Sequence, residues 1–243
     1  MNFRASGKTD KGSVRLVNED SFLIDEENKL FIVADGMGGH EAGDVASRML
    51  VNRVQQFLSG KLQENTTNAD TASLLIKAIQ KANLEIYTYS QEQAKGSVMG
   101  TTAVLMTLVG DQYFISWAGD SRAYLYREGS LSRLTRDHSY VQGLVDAGEI
   151  SEEEARVHPR RNVVTSAAGV DAEIEPECVW GQSMCGDVFL LCTDGLTGPL
   201  DDDTIGSILG EGSEPPMLSD ALVNRSLHLG GDDNITVVVV GLF

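Results

Sequence analysis

Basic residues are scarce in this chain of 243 residues, in which 19 Lys and Arg stand against 36 Asp and Glu. The formal net charge is −17. Nucleic acids and anionic membrane surfaces are bound through basic patches, so this balance argues against both as partners. Solubility is the simplest explanation for most of the acidic residues.

Cysteine is also scarce, with three residues, Cys178, Cys185 and Cys192, and no C-x-x-C pair. This pattern argues against a disulfide framework and a zinc site, and it predicts reduced cysteines in a reducing compartment. No apolar run approaches the roughly 20 residues of a membrane span, and the N-terminal residues have no apolar signal core. We therefore expect a cytoplasmic protein without a membrane segment. A monomer is expected because no long apolar heptad indicates an obligate oligomer.

No linker, charge block or repeat divides the sequence, so residues 1–243 are predicted to form one domain. Apolar residues recur with a helical period in two adjacent long segments, the second with Asp70 as its predicted N-cap, and in four shorter ones. Strands are predicted in blocks, which favours an α+β layered fold over alternating βαβ units. The predicted helices are 44–58, 71–93, 139–147, 151–157, 203–209 and 217–229. The predicted strands are 20–25, 30–34, 101–109, 112–118, 122–127, 131–134, 173–180, 187–193 and 234–242.

Three carboxylates stand at the ends of predicted strands. Asp35 follows the apolar run 30–34 and opens a glycine-rich turn, and Asp194 follows the run 188–192 through Thr193. Asp233 directly precedes the last strand. Acids at strand ends, next to permissive glycines, can converge as hard oxygen ligands on a divalent cation.

An ordinary turn, a dinucleotide-binding loop and a calcium loop are the alternatives for the acidic turns of this chain. An Asp-Gly pair alone is a common turn, but two such pairs in the same strand-end context favour ligands. A dinucleotide loop starting at Gly36 fails because Glu41 occupies the position of the third glycine. A calcium loop starting at Asp201 fails because Ile205 and Gly212 cannot supply the side-chain oxygens it requires.

Two further segments combine charges with turns. Arg15 is followed by Asn18, Glu19 and Asp20 just before a predicted strand. These residues fit either a surface ion pair or an Arg that holds a phosphate beside metal-binding acids. Residues 119–122, Gly-Asp-Ser-Arg, lie between two predicted strands, where a hairpin turn would account for them.

In this order, six segments resemble those of the bacterial metal-dependent protein phosphatases, the PP2C-like (PPM) serine/threonine phosphatases. The segments are 15–20, 35–40, 100–103, 119–122, 192–197 and 232–237. The resemblance extends from about Gly12 to Val240 and includes a flap at about 135–169. It implies a four-layer α-β-β-α sandwich of two antiparallel sheets flanked by helices.

The same resemblance implies a centre of two Mn²⁺ or Mg²⁺ ions and a possible third. Asp35 would bridge the two metals, with the carbonyl of Gly36, Asp194 and Asp233 as further ligands. Glu19 and Asp20 would bind metal directly or through water, and Asp120 would hold the third ion with Asp194. Arg15 would bind the substrate phosphate, and His158, Arg160 and Arg161 of the flap would contact the substrate. All-oxygen ligands suit Mg²⁺ or Mn²⁺ better than zinc.

The sequence departs from the family pattern at two places. Met37 occupies the position at which animal members carry a histidine as candidate general acid. Our hypothesis is that a metal-bound water protonates the leaving group, with His40 as the weaker candidate. The flap exit, residues 164–169, lacks the Arg that bacterial relatives often have. The resemblance therefore does not indicate how this flap is anchored or how it selects its substrate.

The resemblance therefore predicts a metal-dependent phosphatase acting on phosphoserine and phosphothreonine in proteins, opposing a eukaryotic-like Ser/Thr kinase. The alternatives are a hydrolase of small phosphoesters and a non-catalytic module that binds a phosphoprotein.

Overall fold

The fold is described from a computed structural model for residues 2–38, 42–63, 66–93 and 99–243. Ten of its strands form two five-stranded antiparallel sheets, and two short strands pair with each other. The strands are β1 Phe3–Asp10, β2 Ser21–Asp25, β3 Leu30–Ala34, β4 Gly36–Gly38, β5 Met99–Thr101, β6 Ala103–Val109, β7 Gln112–Ala118, β8 Arg122–Arg127, β9 Ser130–Arg133, β10 Glu177–Gln182, β11 Val188–Cys192 and β12 Ile235–Leu242. The helices are α1 Ala42–Leu58, α2 Asn68–Gln93, α3 Tyr140–Asp146, α4 Glu152–Val157, α5 Asp194–Thr197, α6 Asp202–Leu209 and α7 Pro215–His228.

The first sheet has the strand order β1-β12-β11-β8-β9 and the second has β10-β7-β6-β3-β2. Alternation along β3 shows how the layers form, because successive side chains of a strand point to opposite faces. Leu30 and Ile32 pack in one core with α1 and α2, whereas Phe31 and Val33 pack in another core, against the first sheet. A third core joins the outer face of the first sheet to α6 and α7. The predicted four-layer α-β-β-α arrangement is thus present.

Most predicted elements are found within a few residues of their predicted ends, since both periodicities are strong in this sequence. β2 and β3 pair antiparallel. The prediction that Asp70 caps α2 is wrong, because the helix begins at Asn68 and the Thr67 hydroxyl accepts a hydrogen bond from the Asp70 amide at 3.2 Å. The strand predicted at 173–180 begins only at Glu177.

Three sheet features differ from the sequence prediction. β4 was not predicted, and it pairs with β5. β1 was not predicted at all, yet it pairs along its whole length with β12. Residues 119–122 do not form a hairpin turn, because β7 belongs to the second sheet and β8 to the first. They cross between the sheets and so carry Asp120 to the boundary of the two. None of the helices in the described part of the chain combines the length and apolar character needed to cross a lipid bilayer.

Candidate metal centre

Five aspartates from both sheets meet at one end of the sandwich. Asp20 precedes β2 and Asp35 follows β3 in the second sheet, while Asp194 follows β11 and Asp233 precedes β12 in the first. Asp120 stands at the crossing between the sheets. Repulsion from the other four raises the pKa of the Asp35 carboxyl group, after burial as the largest cause. We call these five residues the acid cluster.

The pKa values in the cluster show how strongly the acids oppose one another's ionisation. Burial raises the pKa of Asp20 to about 7 and that of Asp120 to about 8, and in both the charge of Asp194 adds to the rise. Burial, followed by repulsion from Asp233, raises the pKa of Asp194 to about 6. Buried like charges in such proximity call for a compensating cation.

The unsatisfied oxygens of the site also fit a cation. Oε1 of Glu19 and Oδ1 of Asp20 are buried and have no hydrogen-bond partner among the described residues. Unpaired buried carboxylate oxygens are costly unless they bind a metal ion. The side-chain atoms that could coordinate a cation here are all carboxylate oxygens, which suits Mg²⁺ or Mn²⁺.

In residues 2–38, 42–63, 66–93 and 99–243, however, no three His, Cys, Asp or Glu side chains are arranged so that they could hold a metal ion by themselves. The acids are coupled electrostatically without enclosing one common point. Mg²⁺ in proteins is commonly held by one or two carboxylates, with water completing the shell, so few protein donors per ion are needed.

Gly36 lies where the chain must pass very close to its neighbours. A Cβ atom at this position would lie 2.1 Å from the Gly43 carbonyl oxygen and 2.5 Å from that of Glu19. The Gly36 amide also donates to the Glu19 carbonyl at 3.2 Å. Glycine is therefore required here, because it lets Glu19, β4 and the start of α1 pack against one another beside Asp35.

Hydroxyl groups position the acids from behind. The Thr193 hydroxyl donates to Oδ2 of Asp20 at 3.0 Å and accepts from the Thr236 amide at 3.0 Å. The Thr102 hydroxyl accepts from the Asp35 amide at 2.9 Å and lies 2.7 Å from the Ser121 hydroxyl. Thr102 thus links the segment of Asp35 to that of Asp120.

Asn234 is the most connected of the supporting residues. Its Oδ1 accepts from the Glu19 amide at 2.8 Å, and its Nδ2 donates to the carbonyls of Lys11 and Val17 at 2.9 and 3.0 Å. Sequence reasoning noted Asn234, Thr102 and Thr193 as members of motifs but assigned them no role. Their positions beside the acids were the only available signal.

Arg15 lies on the rim of the acid cluster. Its guanidinium NH2 donates to Oδ2 of Asp233 at 2.6 Å, and this hydrogen bond is the largest cause that raises the pKa of Arg15. The side chain of Arg15 remains half exposed. An exposed ion pair of this kind contributes little stability, so the guanidinium can exchange Asp233 for another anion at small cost.

The flap, residues 135–169, contains α3 and α4. Of its predicted substrate residues, Arg161 lines a cavity of about 160 Å³ that Asp120 and Asp194 also line. Arg160 instead lies with its guanidinium 5.2 Å from the centre of the Tyr140 ring, and the His158 ring packs 6.0 Å from the same ring. His40, the weaker proton-donor candidate, lies outside the described residues.

The flap exit is anchored without the missing Arg. Ala168 and Thr101 exchange two backbone hydrogen bonds of 2.8 and 2.9 Å. Oδ1 of the buried Asn83, on α2, accepts from the Gly169 amide at 2.7 Å, and its Nδ2 donates to the carbonyls of Asp171 and Ala172 at 3.0 and 3.2 Å. Sequence reasoning missed Asn83, because a single polar residue on a helix gives no signal of a distant partner.

An acid cluster of oxygen ligands between two packed sheets, with an arginine on its rim, defines a class of protein: the hydrolases that use divalent cations to cleave phosphoesters. Comparison with known proteins places the chain within that class. The family model described as Protein phosphatase 2C matches residues 10–215. The chain therefore belongs to the protein phosphatase 2C family.

Similar proteins are bacterial serine/threonine phosphatases. The serine/threonine phosphatase stp of Listeria monocytogenes is 39% identical over 242 residues, which cover 97% of this chain and 94% of that protein. The crystal structure of PstP/Ppp from Mycobacterium tuberculosis has a TM-score of 0.91 at 36% identity and covers 99% of this chain and 98% of that one. The structure of the PstP catalytic domain in complex with two manganese ions has a TM-score of 0.86 at 34% identity, with coverage of 98% and 97%.

These comparisons confirm the predicted family, the predicted fold and the prediction of a metal-dependent serine/threonine protein phosphatase. They also support a dinuclear metal site.

Proposed function

We propose that the acid cluster and Arg15 are the machinery with which this phosphatase removes phosphate from phosphoserine and phosphothreonine in proteins. The observation that carries this assignment is the convergence of five mutually repelling aspartates from both sheets, beside two carboxylate oxygens without partners among the described residues. In the reaction, water adds to phosphorus while the bond to the serine or threonine oxygen breaks, and that oxygen leaves with a proton.

In this proposal Asp35, Asp194 and Asp233 would hold two Mn²⁺ or Mg²⁺ ions, assisted by Glu19, Asp20 and the Gly36 carbonyl. When bound, such ions would activate a water molecule and neutralise charge on the phosphoryl oxygens. A third ion would bind at Asp120 and Asp194. That assignment draws support from the shared cavity and from the repulsion of Asp194, which contributes to the raised pKa of Asp120.

The role of Arg15 is to bind the substrate phosphate. Its guanidinium already donates to Asp233 at 2.6 Å, so it lies within reach of an anion bound at the cluster. Arginine suits this task because its planar group can bind two phosphate oxygens at once. Arg161 would contact the substrate from the flap side of the cavity, whereas His158 and Arg160 are packed on Tyr140 and would have to move to do so.

The wider setting is part of the same proposal. The phosphoprotein substrates would come from a Ser/Thr protein kinase that this enzyme opposes. The protein would act as a single phosphatase domain, as a monomer in the cytoplasm, with neither nucleic acid nor membrane as partner. The net charge of −17 supports the last two expectations.

Phosphate release from an aryl phosphate and from a phosphothreonine peptide tests the assignment. We expect Mn²⁺-dependent turnover of both, abolished by chelator and by Asp194→Ala. The matched control is Glu211→Ala, which removes an exposed acid between α6 and α7. If neither substrate shows Mn²⁺-dependent turnover, the enzyme assignment is overturned and a phosphoprotein-binding module is favoured. Turnover of the aryl phosphate alone would favour a small-phosphoester hydrolase.

A further inference from the structure

Three exposed apolar residues flank Arg15 in sequence on the loop of residues 11–18, which we call the Arg15 loop. Leu16 is 93% exposed, Val14 is 65% exposed and Val17 is 44% exposed. Single exposed apolar residues are normal on protein surfaces, but three within four consecutive positions are a local concentration, which we call the patch. The patch is unusual in a chain with 36 acidic residues and a net charge of −17. It favours a surface that contacts another molecule.

The main chain of the Arg15 loop is fixed in place. The side-chain amide of Asn234 donates to the carbonyls of Lys11 and Val17, and the Ser13 amide donates to the Gly231 carbonyl at 2.7 Å. Gly12 has a φ of +75°, and a Cβ atom there would lie 2.1 Å from the Asp233 carbonyl oxygen. Only glycine permits this approach. The loop is therefore held directly against the segment that carries Asp233.

The patch is continuous with the phosphate site, because Arg15 lies between Val14 and Leu16 and donates to Asp233 of the acid cluster. A phosphoprotein whose phosphate reaches Arg15 must place its neighbouring residues over this loop, since an extended chain advances only about 3.4 Å per residue. An apolar side chain next to the phosphorylated residue would remove Leu16 from water, whereas a polar one would gain nothing there.

We propose that the Arg15 loop is a substrate-reading surface, on which Leu16 and Val14 contact an aliphatic or aromatic side chain next to the phosphorylated residue. This inference rests on the proposed function of Arg15. It makes Leu16 and Val14 specificity-determining residues, because neither has a group that takes part in the chemistry.

Matched phosphothreonine peptides test the proposal. They carry leucine or serine at one flanking position at a time, and kcat/KM is measured with Mn²⁺ for wild type, Leu16→Ser and Val14→Ser. For at least one flanking position we expect wild type to prefer leucine on the order of three- to tenfold, as a modest apolar contact allows. Leu16→Ser should remove most of that preference through KM, and Val14→Ser part of it.

The control variant is Met217→Ser, which removes an apolar side chain from α7 whose exposure, 64%, is close to that of Val14. It should leave the peptide preference unchanged, and all variants should hydrolyse an aryl phosphate at the wild-type rate. The proposal is overturned if wild type shows no preference at any position, or if Leu16→Ser retains it. It is also overturned if Leu16→Ser dissociates a dimer, because a second copy would then cover the patch. Loss of aryl phosphate turnover in wild type would instead refute the proposed function itself.

Discussion

The acid cluster and the flap border the same cavity but are held by different kinds of contact. Asp35, Asp194 and Asp233 adjoin β3, β11 and β12, whose side chains are almost all buried on both faces. The flap helices bury little: Val141 is the only buried residue of α3, and α4 has none. Elements with few buried apolar contacts open locally at low free energy. The charges for chemistry are therefore preorganised, whereas the substrate-facing cover is lightly held.

The largest expected effect is that of Asp35→Asn, which changes the rigidly held acid cluster. The substitution keeps the shape but removes the charge that faces four other acids. We expect kcat to fall about a thousandfold on both the aryl phosphate and the phosphopeptide, as the loss of a charge that orders the metal site implies. Metal-free protein should become more stable in urea unfolding, because buried repulsion is relieved. Wild-type activity, or a loss of stability without metal, would contradict the assignment.

The pH dependence of the free energy of unfolding of metal-free protein also tests the acid cluster. The pKa values of Asp194, Asp20 and Asp120 are raised to about 6, 7 and 8. The native state therefore retains protons that the unfolded state releases near pH 4, so the free energy of unfolding falls as the pH rises. In chelator we expect the free energy of unfolding to decline as the pH rises through the range of about 6 to 8 that these three pKa values span.

Urea unfolding at several pH values measures this decline. Asp120→Asn should flatten its upper part, and Mn²⁺ added at pH 8 should restore stability, because a ligand that binds only the native state stabilises it. Metal-free stability that stays level or rises between pH 5 and 8 would show that the acids are less strongly coupled than the structure indicates.

Asn83→Ala, which removes contacts at the exit of the lightly held flap, should give a smaller and different effect. The variant leaves the Gly169 amide and the carbonyls of Asp171 and Ala172, just after the flap exit, without their partner, which costs about 1–3 kcal/mol of stability. We expect KM for a phosphoprotein to rise about tenfold while kcat for the aryl phosphate changes less than about twofold. Asn52→Ala, at an exposed position of α1, is the matched control. An equal loss of activity on both substrates would show instead that Asn83 supports the acid cluster rather than the flap.

The smallest effect is expected for His40→Ala, since Met37 occupies the position two residues after Asp35. If a metal-bound water delivers the proton to the leaving group, the rate of His40→Ala on aryl phosphates with poor leaving groups should match that of wild type. A selective loss on the poorest leaving groups would make His40 the general acid.

Sequence reasoning predicted the strands and long helices well where the apolar pattern was strong. It missed β1, because Phe3–Asp10 reads FRASGKTD and has little apolar alternation. This segment is a strand because β12 supplies partners along its whole length. It also could not decide whether residues 119–122 formed a hairpin, since a turn sequence does not state which sheet receives the next strand.

For the proposed metal centre, the sequence identified the acids but not the contacts that position them. Asp35, Asp194 and Asp233 were recognisable because each carboxylate adjoins an apolar run. The contacts that Asn234, Thr193, Thr102 and Asn83 make bridge partners distant in sequence, up to 223 positions apart for Asn234 and Lys11. No local pattern encodes such contacts.

The sequence alone therefore determined the chemistry that is available: a surplus of acids, carboxylates at strand ends, an arginine nearby and no reactive cysteine motif. Local periodicity and residue type carry that information. Only the tertiary structure decided that acids from two separate sheets face one another, that Arg15 pairs with Asp233, and that Leu16 stands exposed beside it. These features depend on how the sheets pack and on which side chains reach across them, and packing is a property of the whole chain.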